Sequence, residues 1–198
     1  MQLKFLTKKI IITPQNLLLG FYIWAITIYV AVRTFTVSVV HDEAITFFIS
    51  LKDYSSIFNF SSLGAFAVNN HLLNTLLIKL FELFFGESQF FLRLPALLGF
   101  CLYVWFSVRI SKLLFVKQWV IWSVIALTLN PFMLDFFSLA RGYSLGLGLL
   151  MGCLFFFFKS IEKKAQAKTL LYLIIFGFLS SLANFAFITP FVIILYIR

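Results

Sequence analysis

The stretch HLLNTLLIKLFELFF (71–85) decides how this chain is threaded. As a spanning helix it is short. Fifteen residues reach about 22 Å, and the hydrocarbon core of a bilayer is about 30 Å thick. At about 100° per residue, His71, Asn74, Thr75, Lys79 and Glu82 gather on one side of a helix. Leu72, Leu73, Leu76, Leu77, Leu80 and Phe84 lie elsewhere. That pattern predicts an amphipathic helix lying in the membrane interface rather than crossing it. Ala44–Lys52 shows a weaker version, with Ile45, Phe48 and Ile49 sharing a face.

A membrane is the right setting for that reading. Apolar residues make up 62% of the 198 positions, against roughly 45–50% in ordinary soluble domains. Charged residues are only 12%, 28 residues are Phe, and mean hydropathy is +1.03. A soluble globular domain, a disordered chain and a coiled coil are all excluded. The net charge of +9 does not form one patch, so nucleic acid is not an expected partner. The basic residues fall in short clusters between apolar runs, the distribution of a polytopic membrane protein.

The spans follow from those runs. The first is Leu17–Val37, preceded by Lys4, Lys8 and Lys9 like the start of a signal sequence. The bulky, β-branched residues 33–40 offer no small-residue processing site, so the span is expected to stay attached. Four further runs are Phe91–Ser107, Trp119–Phe137, Tyr143–Phe158 and Thr169–Asn184, and a shorter one is Phe185–Ile197. The expectation is an all-α polytopic protein of about six transmembrane helices, with interfacial helices in its first outer loop. It forms a single membrane domain over 1–198: first span 17–37, outer loop 40–90, remaining spans 91–198.

Charge supports leaving 71–85 out of the count. The N-terminus, Arg109–Lys117, Lys159–Lys168 and Arg198 then share one side and hold eleven bases against one acid, Glu162. The other segments hold five bases (Arg33, Lys52, Lys79, Arg93, Arg141) and six acids (Asp42, Glu43, Asp53, Glu82, Glu87, Asp135). If 71–85 did span, both basic loops would lie outside, against the positive-inside tendency. Residues 41–90 and 130–141 are therefore expected on the outer face.

That face holds the unusual residues. Both histidines, His41 and His71, are there, and Asp42 and Glu43 directly follow the first span. Two adjacent carboxylates at a membrane boundary can simply solvate a loop. Alternatively, one serves as a general base, because partial desolvation near lipid raises a carboxylate's pKa. Cys101 and Cys153 sit inside apolar runs with no CxxC or Cys/His cluster, and read as small apolar residues rather than a zinc site. Trp24, Trp105, Trp119 and Trp122 read as interface or packing residues rather than a sugar platform.

The ordered motifs HDEA (41–44), NNHLLNTLL (69–77), LFFGES (83–88), FLRLPALL (91–98), NPF (130–132) and ARGYSL (140–145) resemble the N-terminal part of GT-C membrane glycosyltransferases. The resemblance covers about residues 15–160. It is to bacterial enzymes similar to protein O-mannosyltransferases and lipid A aminoarabinose transferases. It implies a bacterial inner-membrane enzyme that moves a sugar from a polyprenyl-phosphate donor to a lipid, glycan or protein hydroxyl on the outer face. The family's first-loop acidic motif maps onto Asp42 and Glu43: Asp42 as general base, Glu43 orienting it or holding the loop. The leaving lipid phosphate needs charge stabilisation, for which His71, Lys79, Arg93 and Arg141 are the candidates, with Asp135 as a second acid. Leu72 follows His71 where the family often has proline, and Leu139 precedes ARGY where an acid is common.

No cofactor is implied; two adjacent acids do not by themselves make a metal site, but enzymes of the resembled family differ in metal dependence, so a divalent metal stays open. Each candidate also has an ordinary alternative. His71 can cap an interfacial helix, Lys79 can reach headgroups along its stem, Arg93 can anchor a span, and Arg141 can anchor or pair with Asp135. The resemblance covers the early part of a larger core, so a partner chain completing it is one expectation and an inactive fragment another. The rival from a different class is a non-catalytic membrane protein: a lipid-linked-sugar binder, a transporter or a scaffold.

Overall fold

A computed structural model describes residues 13–45, 71–86, 88–162 and 166–198. Among the described residues every regular element is helical. Helix α1 (Pro14–Thr36) starts with proline at its first turn, where the missing N–H costs nothing. A short α2 (His41–Ile45) follows, then α3 (Leu72–Phe85). The 26-residue α4 (Gln89–Leu114) is capped by Ser88, whose hydroxyl accepts from the Phe91 N–H. After a 3-10 turn come α5 (Val120–Thr128) and α6 (Pro131–Phe137). Helices α7 (Gly142–Glu162), α8 (Ala167–Ala183) and α9 (Ile188–Ile197) complete the bundle.

Helices α4 and α7 form its centre, with α8 on the other side of α7. The first contact is built on small residues. A Cβ on Gly99 would collide with the backbone of Leu145, and one on Gly148 with the Gly99 carbonyl. Ser144, one turn before Gly148, donates its hydroxyl to the Ala96 carbonyl at 2.5 Å. Small residues four apart let two backbones approach where lipid supplies no hydrophobic drive between helices. Around this seam the phenylalanines interlock: Phe100 and Tyr103 against Phe137, and Phe106 against Phe155 and Phe176.

Among the described residues three helices are long and apolar enough to cross a membrane: Pro14–Thr36, Gln89–Leu114 and Gly142–Ile161. A fourth span results if α5 and α6 are counted together. The protein is thus a multi-pass helical membrane protein by its architecture, and the described residues confirm three or four of the expected six or so spans. Ala167–Ala183 and Phe185–Ile197 are apolar but shorter. The second of these begins as a 3-10 turn, capped by Asn184 accepting from the Ala186 N–H.

The expected span Trp119–Phe137 is broken, with a 69° bend between its halves. Pro131 cannot donate to the preceding turn, and Asn130 restarts the chain by accepting from the Phe132 and Met133 N–H groups. Freed backbone at membrane depth must find partners inside the protein. Here Tyr103 donates to the Leu127 carbonyl at 2.7 Å, and the Thr128 hydroxyl meets the Tyr22 hydroxyl at 2.7 Å.

The 71–85 segment is a helix, with its amphipathicity turned the other way from the expectation. Its polar side faces protein: Asn74 and Thr75 are buried. Leu76, Leu80, Leu83 and Phe84 are exposed. Helix α3 packs on α4, α7 and α8. The weaker amphipathic segment Ala44–Lys52 lies outside the described residues beyond Ile45, as do Lys4, Lys8 and Lys9.

The tight α4–α7 seam is testable. Gly148→Val should destabilise the bundle by about 1–3 kcal/mol and lower its melting temperature in detergent. Gly20→Val, where a side chain meets open space, should leave it nearly unchanged.

Candidate functional site

The end of the bundle where α1 finishes and α4 and α7 begin carries a buried ion pair. Arg93, on the first turns of α4, donates from Nε to Glu43 Oε1 at 2.9 Å and from Nη2 to Glu43 Oε2 at 2.7 Å. Neither side chain has any exposure to solvent. Arginine has five N–H donors, and the other three are also used. Nη1 donates to the Thr34 and Val37 carbonyls, both at 2.8 Å, and Nη2 to the Ser38 carbonyl at 3.2 Å. These carbonyls belong to the last turn of α1 and the chain just after it. A cation there answers both the unpaired acceptors and the helix dipole.

Glu43 is equally committed. Oε1 also accepts from the Ala140 N–H at 2.5 Å, and Oε2 from the Val40 N–H at 3.1 Å. Two side chains therefore join the end of α1, the short α2, the start of α4 and the α6–α7 turn. Gln89 adds a bond to the Val37 carbonyl at 2.8 Å.

This geometry corrects one assignment: Arg93 has no donor left for a substrate phosphate. Both oxygens of Glu43 are likewise committed. Of the roles expected for Glu43, holding the loop is the one its contacts perform. What the pair fixes is α2, and with it the backbone of Asp42. The Asp42 side chain lies outside the described residues.

A second cluster adjoins the first through ARGY (140–143). The Tyr143 ring meets His71 edge-on at 5.4 Å and Phe136 at 5.2 Å. The Arg141 guanidinium lies 5.3 Å from the Tyr143 ring centroid and 5.7 Å from that of Phe136. Beneath it, Gly142 lets His71 and the Ala183 carbonyl approach α7, since a Cβ there would collide with both. His71 is buried. The structure thus brings His71 and Arg141 together, and Ala140 connects them to Glu43 and Arg93.

The remaining candidates are placed differently. Lys79 sits on α3 beside Ile78, which packs against Leu92 and Ala140. Its ammonium is enclosed, so it does not extend along the surface to headgroups. Asp135 is half exposed and pairs with Arg33 at 3.0 Å, not with Arg141. Trp24, Trp105, Trp119 and Trp122 are all exposed on the outside of the bundle. Among the described residues no three His, Cys, Asp or Glu side chains gather in a group that could hold a metal ion.

Sequence reasoning passed over Asn74. It lies on the same face of α3 as His71 and Thr75, fully buried, with neither amide atom hydrogen-bonded. A buried unsatisfied amide is uncommon in a folded protein and calls for a bound water or ligand atom. Its signal was the polar spacing His71-Asn74-Thr75, which reads equally well as a solvated face.

No protein-family model, curated protein or solved structure matches the chain.

Removing one partner of a buried ion pair strands the other charge, at about 3–5 kcal/mol, whereas an apolar replacement of both is often tolerated. Arg93→Leu and Glu43→Leu should each lower the melting temperature strongly. The double variant should be less destabilised than either alone, a non-additivity measured by a double-mutant cycle.

Proposed function

We propose that this chain is the N-terminal membrane core of a GT-C-type glycosyltransferase of the bacterial inner membrane, using a polyprenyl-phosphate-linked sugar as donor. The observation that supports the reading most is the buried Glu43–Arg93 pair. It commits one member of the acidic doublet to structure and holds the other, Asp42, on a short helix fixed to three further elements. Positioning of a reacting group on rigid elements is a main source of catalytic power.

In this reading Asp42 takes the proton of an acceptor hydroxyl. The hydroxyl oxygen bonds to the anomeric carbon, and the bond from that carbon to the phosphate oxygen breaks. The sugar inverts, and polyprenyl phosphate leaves as an anion. Arg141, with its guanidinium against the rings of Phe136 and Tyr143, and His71 beside it are the cationic and hydrogen-bonding groups for that anion. Arg93 takes no part except as support. Lys79 and Asp135 are not assigned a step. The acceptor is a lipid, glycan or protein hydroxyl, and a partner chain supplying the rest of the donor groove fits the reading.

A second reading is a non-catalytic binder of lipid-linked sugar. It is favoured by the same saturation of Glu43 and Arg93, which leaves fewer groups for chemistry. The two separate on one substitution. With radiolabelled sugar transfer followed in membranes of a host lacking close relatives, Asp42→Asn should abolish transfer and leave the amount of folded protein unchanged. Arg141→Ala should weaken donor use at limiting donor. If donor binds the unchanged protein but no transfer occurs, the catalytic reading fails and the binder remains.

A further inference from the structure

The opposite end of the bundle carries a different kind of site. Between the N-terminus of α1, the end of α4 and the start of α5 lies a cavity of about 270 Å³. Lys112 and Lys117 line it, with the polar side chains of Gln15 and Asn16 and the apolar ones of Leu19 and Phe115 among the rest of the wall. Among the described residues no acid lines it, and the first turn of α1 contains none. Among the described residues no carboxylate pairs with either lysine. The third base of the segment Arg109–Lys117, Arg109 on α4, lies instead against the rings of Trp105 and Phe155.

Phe115 also lines a second cavity, of about 530 Å³, on the α7 side of the α4–α5 corner. That wall is almost wholly apolar and includes Trp119 and Trp122. A cationic crevice and an apolar groove that share one wall residue match a molecule with an anionic head and a hydrocarbon tail. Tryptophan at the junction is the usual marker of the headgroup level.

We propose that this crevice binds the phosphate headgroup of an anionic membrane phospholipid, with an acyl chain laid past Phe115 into the apolar groove. The two lysines supply the charge, and the α1 N-terminus adds its positive dipole end. Basic pockets between helices on the positive side of a membrane protein are suited to such lipids. The site is independent of the chemistry proposed for the Glu43 end.

The test uses the full chain carrying Trp24→Phe and Trp105→Phe, so that fluorescence reports Trp119 and Trp122. The protein is placed in phosphatidylcholine vesicles containing increasing amounts of brominated phosphatidylglycerol or, separately, brominated phosphatidylcholine. Half-quenching is expected at a mole fraction about tenfold lower for the anionic lipid. Lys112→Gln with Lys117→Gln should bring the two curves together, and Lys112→Arg with Lys117→Arg should keep them apart. Coincident curves with the lysines intact overturn the proposal without reliance on any lysine variant. Excess inorganic phosphate, compared with chloride at equal ionic strength, should leave the phosphatidylglycerol curve in place. Its displacement would assign the crevice to soluble phosphate and overturn the lipid assignment.

Discussion

Moving a guanidinium and a carboxylate out of water costs several kcal/mol per ion, even after the protein relaxes. Arg93 and Glu43 bear that cost with no exposed surface, because every donor of one and both oxygens of the other are matched. The consequence reaches beyond two residues. The carbonyls of Thr34, Val37 and Ser38 would otherwise be orphaned at a helix end, in a region where water is scarce. Ala140 would lose the acceptor that fixes the turn into α7. The pair therefore sets where α1 stops, where α2 sits, how α4 enters and how the α6–α7 turn is held. Everything offered as a site at this end depends on those four positions.

The long apolar helices were legible because their signal is local. The expected span Leu17–Val37 is α1 at Pro14–Thr36, and Tyr143–Phe158 lies within α7. The break at Asn130-Pro131 had a local signal too, since Asn-Pro favours a turn. Its apolar surroundings, Trp119–Thr128 and Phe132–Phe137, hid it. The relation between Glu43 and Arg93 was not legible. Both residues stood out as charges next to apolar runs, but they are fifty positions apart and no periodicity connects them. Adjacency alone gave no reason to separate Asp42 from Glu43; only the family resemblance assigned them different roles. Only the packing of α4 against the end of α1 shows that Glu43 is enclosed.

The α3 segment shows a different limit. Periodicity identifies a polar face, but the surroundings decide which way that face turns. At a water interface it turns outward. Against lipid the outside is as apolar as leucine, so polar groups are better placed toward other helices, where they find partners. His71 and Thr75 follow that logic, and Leu76, Leu80 and Leu83 lie outward. Asn74 is the exception within it, buried and without a bond on either amide atom. It lies on the face that holds His71 against Tyr143 and Gly142.

The two ends of the bundle differ in how their charges are handled, and this bears on orientation. Two of the bases outside the basic segments are neutralised by pairing: Arg93 with Glu43 and Arg33 with Asp135. A buried neutral pair contributes little to the bias that orients a membrane protein, which is set by Lys and Arg near the span ends. At the other end Lys112 and Lys117 stand in a cavity that no acid among the described residues lines. The structure therefore leaves the net charge of each side as it was but widens the asymmetry in uncompensated Lys and Arg. Arg93, counted in the sequence among the five bases of the outer side, is the residue that most clearly leaves that count. The same property that makes the Glu43 end a neutral, closed framework leaves the lysine end as the place where uncompensated charge meets the membrane surface.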